Sequence, residues 1–207
     1  MRLRAAFLFA ALMLTALAAS GLSRADAAAP SPSGKSPRAQ AEPAPKSPQQ
    51  ARAELYARLA VSKDANETNG LVGLLLSSYA QSGSDTADLL MEHAQKAMQE
   101  KDFDAARKIL DETIALEPGW AEGWNARATL RYLDDDLDGA MADIARTLKL
   151  EPRHIGALAG MAMILQSQDK DEEALRVYDR ALSIAPHWRR VEDAAQELRT
   201  AIAGRQI

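Results

Sequence analysis

The stretch "DDDLDG", residues 134–139, opens like a calcium loop, with carboxylates at alternate positions and a glycine at the sixth. Such a loop needs a bidentate acid at its twelfth position. Counting from Asp134, that position is Ala145, so cation binding is not expected. The three histidines, His93, His154 and His187, stand far apart. None has a histidine at i+4 or a glutamate in zinc spacing. Cysteine is absent, which excludes a disulfide, a thiolate metal site, a cysteine nucleophile and a lipid anchor built on cysteine. There is no Gly-rich phosphate loop and no G-x-S-x-G, and no set of residues forms a catalytic constellation. The chain is expected to be no enzyme and to carry no metal or cofactor. "NET" at 66–68 matches a glycosylation acceptor, but it reads more simply as a helix start.

The ends of the 207-residue chain differ from its body. Arg2 and Arg4 precede the apolar run "AAFLFAALMLTALAA", which is short against the roughly 20 residues of a bilayer span. "RADA" then sets Ala25 and Ala27 in an A-x-A pattern. Residues 1–27 are therefore expected to be a cleavable export signal, and export without cysteine suits a bacterial periplasm. Residues 28–50 hold six of the nine prolines and little bulk to bury, so they read as a disordered tether. Residues 51–207 hold 19 Lys+Arg against 27 Asp+Glu, a formal charge of about −8. That balance disfavours nucleic acid and anionic lipid as partners. No stable membrane insertion is expected once the signal is removed.

The remaining three prolines, Pro118, Pro152 and Pro186, are spaced 34 residues apart. Other columns keep the same step: Leu90/Trp124/Leu158, Ala94/Ala128/Ala162, Ala106/Ala140/Ala174 and Leu110/Ile144/Tyr178. His154 shares a column with Trp120 and Trp188, and packing is its expected role. The units are 87–120, 121–154 and 155–188, each read as two helices. The first helices are expected over 87–99, 119–133 and 153–167, and the second over 103–116, 137–150 and 171–184. The alanine columns let the two helices approach closely, and proline falls between units because it fixes φ and tolerates a missing N–H. After Trp188, Val191, Ala195, Leu198 and Ile202 form one apolar stripe, so 189–207 is expected to be a capping helix closed by Gly204. Residues 51–86 read as a further helix pair of poor repeat character, expected to pack on the first unit as an N-cap.

The 34-residue period, with Trp124, Ala128, Ala140, Ile144 and Pro152, resembles the tetratricopeptide repeat. The resemblance covers about half the chain and implies an all-α, right-handed solenoid of helix pairs. Lys101, Asp135 and Asp169 stand where that family usually has a glycine turn, and Thr113 and Thr147 replace a usual alanine. The wider layout is similar to small exported repeat proteins of Gram-negative bacteria.

In such a solenoid the first helices line a concave face. About 100° round from the packing columns, the first unit offers Met91, Gln95 and Met98, the second Asn125, Thr129 and Tyr132, and the third Ala159, Met163 and Gln166. Gly156 and Gly160 leave space for an incoming side chain, and Asp88, Glu92 and Glu122 edge the groove. Some family members clamp a C-terminal carboxylate with groove lysines, arginines and asparagines. Only Asn125 fits that pattern here, so no such clamp is expected. The methionines suit varied apolar partners, being flexible and polarizable. The implied function is a periplasmic adaptor that holds a protein or peptide segment of another envelope protein. Alternatives are an oligomerising subunit of a larger envelope complex and a holdase chaperone.

Overall fold

The computed structural model describes residues 47–205. The expected signal (1–27) and nearly all of the expected tether (28–50) lie outside the described residues. The tether reading ends too late, because Ser47 is already a helix N-cap. Its hydroxyl accepts from the Gln50 N–H while the Gln50 side chain accepts from the Ser47 N–H, a reciprocal capping box with Pro48 in the first turn.

Nine α-helices and no strands make up the described residues: α1 (Pro48–Leu59), α2 (Ala65–Tyr79), α3 (Asp85–Gln99), α4 (Phe103–Leu116), α5 (Ala121–Leu133), α6 (Leu137–Leu150), α7 (Ile155–Ser167), α8 (Asp171–Ile184) and α9 (Arg189–Arg205). Helices α3 to α8 form three stacked hairpins, an all-α helical repeat solenoid. The second helix of each hairpin occupies its expected interval. In units two and three the first helix starts two residues later than expected, because Trp120 and His154 stand outside it as N-caps. Helix α9 runs through Gly204 rather than stopping there.

The alanine columns do close-contact work, with Ala94, Ala106, Ala128, Ala140, Ala162 and Ala174 all fully buried. Lys101, Asp135 and Asp169 each take a left-handed φ, of 62°, 62° and 59°. The following residue's N–H reaches back to Ala97, Arg131 and Leu165 respectively, tying off the last turn. These are the positions where glycine would relieve strain, and each non-glycine residue there costs roughly 1–2 kcal/mol. Thr113 and Thr147 are accommodated by bonding back to the Ile109 and Asp143 carbonyls at 2.8 and 3.0 Å. Trp124 departs from the expected packing column. It is only half-buried, donates to the Pro118 carbonyl at 3.0 Å, and lies between Arg127 and Arg146.

The helix pair α1–α2 is not a cap on the first unit. Its buried face (Tyr56, Leu59, Leu71, Val72, Leu75, Tyr79) joins one core cluster with Ile155, Leu158 and Ala159 of α7 and with Trp188, Val191 and Leu198 at α9. The first unit, including Trp120, closes its own cluster with Ala126 and Leu130 from the second. Helix α7 accounts for the difference. "IGALAGMAMILQS" has no charged residue, so it must be covered on every side. Helix α8 covers one side, and α1–α2 helps to cover the rest.

Candidate protein-binding groove

The three first helices repeat their inner face in four columns along each helix: Asp88/Glu122/Gly156, Met91/Asn125/Ala159, Gln95/Thr129/Met163 and Met98/Tyr132/Gln166. The structure divides these columns. Met91 is 3% exposed and packs in the core of the first unit; Asn125, Ala159 and Gly160 are buried as well. These four expected groove residues therefore lie inside the fold and present no open contact surface. Gln95, Met98, Met163 and Gln166 remain half-buried at the C-terminal part of the first helices. Thr129 is buried and bonds the Asn125 carbonyl at 3.0 Å, and Tyr132 keeps 9% of its surface. The face thus stays accessible along part of its length, through glutamines, methionines and one tyrosine edge.

Of the three acids expected at the rim, Glu122 is instead buried. It takes hydrogen bonds from the Asn125 amide at 3.2 Å and from the His154 ring at 3.0 Å. His154 caps α7, its Nδ1 accepting from the Ala157 N–H at 3.1 Å, so Nε2 carries the proton given to Glu122. This ties α5 to the start of α7. Asp88 accepts from the Ser82 backbone and hydroxyl, while Glu92 is exposed. The acidic turn is likewise employed within the fold: Asp136 caps α6 through the Gly139 N–H, and Asp134 pairs with Arg107.

The N-terminal part of the face is closed from above by α1–α2. Leu76 Cδ2 stands 3.5 Å from where a Cβ on Gly156 would be. The space that this glycine opens is therefore filled by the chain itself. The Tyr79 ring stacks on His154 at 4.0 Å, and the Tyr79 carbonyl accepts from Trp120 Nε1 at 2.8 Å. The Tyr56 and Tyr79 hydroxyls meet each other and the Arg153 carbonyl, at 3.0 and 3.2 Å from it, so three oxygens share two protons. Burial pushes the Tyr56 phenol up to about 12 and the Tyr79 phenol higher still. At the far end Thr68 donates to the Pro186 carbonyl at 2.9 Å, and the Thr68 hydroxyl also meets Ser62 at 2.7 Å. Trp120, His154 and Trp188, the column that follows each repeat proline, are all buried. The first two of these rings hold Tyr79 directly.

A buried ion network stiffens the body behind the face. Asp143, almost fully buried, accepts two bonds from Arg127 at 2.8 and 2.9 Å and a third contact from Arg131 at 3.1 Å. Arg127 also reaches Asp111 on α4, which links the first unit to the second. The Asp143 hydrogen bonds hold the Arg127 guanidinium above its ordinary range.

The need to cover α7 was legible; the segment that covers it was not. A helix of thirteen residues without a charge signals that something must cover it on all sides, and the ring column after each proline signals a ladder along one edge. Neither signal says which segment provides the cover.

No family model matches the chain. A TPR repeat-containing protein of Rhizobium etli is 39% identical over 158 residues, 76% of this chain and 78% of the relative. Two solved structures share the fold at low identity. The first TPR of Spaghetti (RPAP3), bound to an HSP90 peptide, aligns at 20% identity and TM-score 0.54 over 58% of this chain and 95% of its own. The TPR2B domain of yeast Sti1, in complex with pHsp70, aligns at 18% identity and TM-score 0.53 over 57% of this chain and 99% of its own.

Proposed function

Because the chain belongs to the tetratricopeptide repeat family, we propose that it is a non-enzymatic adaptor that holds a segment of another protein against the first helices of its repeats. The observation that carries this reading is the half-open stripe of Gln95, Met98, Met163 and Gln166, with the Tyr132 edge beside it. The stripe carries no charge, and its methionines can re-pack around different apolar side chains. Two structural neighbours were solved with a peptide or partner bound, which supports a protein or peptide segment as the ligand. The apolar run and A-x-A pattern at the N-terminus support export, and hence a partner in the cell envelope.

Photo-crosslinking side chains placed at Gln95 and at Gln166 should each trap the same partner in intact cells. A crosslinker at Lys108, exposed on α4, should not. Equal trapping from Lys108, or none from the stripe, would remove the reading. If the chain is an oligomerising subunit instead, the trapped partner will be a second copy of the chain.

A further inference from the structure

Helices α1 and α2 lie on a surface that the repeats would otherwise present. Gly156 belongs to the inner-face columns and meets Leu76, and Ala159 shares a cluster with Leu71, Val72 and Leu75. The contact combines apolar packing with polar bonds. Besides its apolar patch it carries a polar seam: Trp120 Nε1 to the Tyr79 carbonyl, the two phenols to the Arg153 carbonyl, and Thr68 to the Pro186 carbonyl. The pair is also self-sufficient at its own helix starts. Ser47 caps α1, and the Asp64 carboxylate caps α2 by accepting from the Asn66 and Glu67 N–H groups. The link to the first unit is short. Ser82 is pinned to Asp88, so only Ala80 and Gln81 connect the end of α2 to that anchored turn.

We propose that the surface beneath α1–α2 is this protein's helix-binding surface, and that the pair is its internal occupant, displaced when a partner helix of the same pattern takes its place. This rests on the adaptor reading and adds the class of partner. The seated face defines that class: two adjacent apolar residues, a third three positions on, and a tyrosine four further, as in Leu71, Val72, Leu75 and Tyr79. The tyrosine ring stacks on His154, its hydroxyl reaches the Arg153 carbonyl, and its own carbonyl receives the Trp120 N–H. A threonine eleven residues before the tyrosine, as Thr68 is before Tyr79, reaches the Pro186 carbonyl at the other end.

The test uses the full chain and a fluorophore-labelled peptide of residues 47–81. Leu75 is fully buried in the contact, so Leu75→Glu in the chain weakens the internal occupant and leaves the receiving surface intact. Apparent affinity falls with the fraction of molecules whose site is free, so the peptide should bind the Leu75→Glu chain at least about 10-fold more tightly than the unaltered chain. A peptide that itself carries Leu75→Glu should bind neither. No saturable binding to the Leu75→Glu chain, or equal binding to both chains, overturns the proposal. Should that variant fail to fold, the absence of cysteine permits a second measurement, the thiol-labelling rate of Leu75→Cys against Leu110→Cys, two fully buried leucine sites. If the pair opens by itself, the first site labels at least about 30-fold faster. Equal rates make the pair an integral part of the solenoid and overturn the proposal. Neither measurement needs the cellular partner. A failure here with intact crosslinks at Gln95 and Gln166 removes this inference alone, and lost crosslinks with a positive peptide assay remove the open-stripe reading alone.

Discussion

Gly156 permits a graded test of how closely α2 sits on the repeats. A Cβ at this position would meet His154 Cε1 at 3.4 Å, Leu76 Cδ2 at 3.5 Å and His154 Nδ1 at 3.6 Å. All three are ordinary contact distances, so Gly156→Ala fits without movement. It also gains helix propensity, at most about 1 kcal/mol, and less this close to a helix start. Gly156→Leu is different. Helical rotamers direct the next carbon back towards the N-terminus, where the His154 ring stands. Either the ring moves, breaking the cap on α7 and the bond to Glu122, or Leu76 lifts and takes α2 with it. Overpacking of this kind costs about 2 kcal/mol, which for a body of this size lowers the melting temperature by about 6 °C. Circular dichroism melts of the three proteins provide the assay. The expected order is alanine at or above glycine, with leucine clearly below both. If the alanine and leucine variants melt together, Leu76 is not seated here and the pair does not close this part of the face.

Asp143→Ala removes the carboxylate shared by Arg127 and Arg131. Arg127 keeps Asp111 and Arg131 keeps the Gly139 carbonyl, so urea unfolding should show a loss of about 3 kcal/mol, at the low end for a broken buried pair. Alkaline pH should destabilise the fold through its tyrosines. Burial raises the phenols of Tyr56, Tyr79, Tyr132 and Tyr178, so the folded state holds these protons longer than the unfolded state does. Stability is then complete below about pH 10 and falls as pH rises towards about 12, and Tyr56→Phe should flatten that fall in denaturation series. Leu198→Asp puts a carboxylate into the contact that α9 makes with the rest of the cluster, and should lower the melting temperature by several degrees, whereas Leu198→Met should leave it nearly unchanged. Mass spectrometry of the exported protein should show residues 1–27 removed; an intact N-terminus on the exported form would refute the signal reading.

The repeats were legible because their determinants are local and recur. The alanine columns, the prolines between units and the helix lengths all follow from residues 34 apart, and the second helices lie where the periodicity puts them. The left-handed turns were legible only as anomalies. Lys101, Asp135 and Asp169 carry no glycine, and it is the hydrogen bonds of each turn that hold them at positive φ. The accessible groove was less legible, because accessibility is a tertiary property. Met91 and Met98 look alike in a helical register. Yet Met91 falls in the core shared with Trp120, and Met98 stays half-buried near the helix end. The placement of α1–α2 was not legible at all. Its apolar stripe marks a face to bury, and several faces of the solenoid would have accepted it.

Length decides which face it finds. From Thr68 to Tyr79 is eleven residues, or about 17 Å along a helix. Adjacent first helices in a stack stand about 8–10 Å apart, so two steps cover about 16–20 Å. Helix α2 therefore bonds the segment before α9 at one end, through Pro186, and the start of α5 at the other, through Trp120, where the Tyr79 ring also stacks on His154. The column after each repeat proline places a ring at the start of α5, α7 and α9, and the fifteen-residue helix α2 is long enough to span those three starts. A helix much shorter than this would satisfy only one end and would leave part of the uncharged α7 open to water. The same matching of lengths that seats α2 sets the requirement on any helix that would replace it.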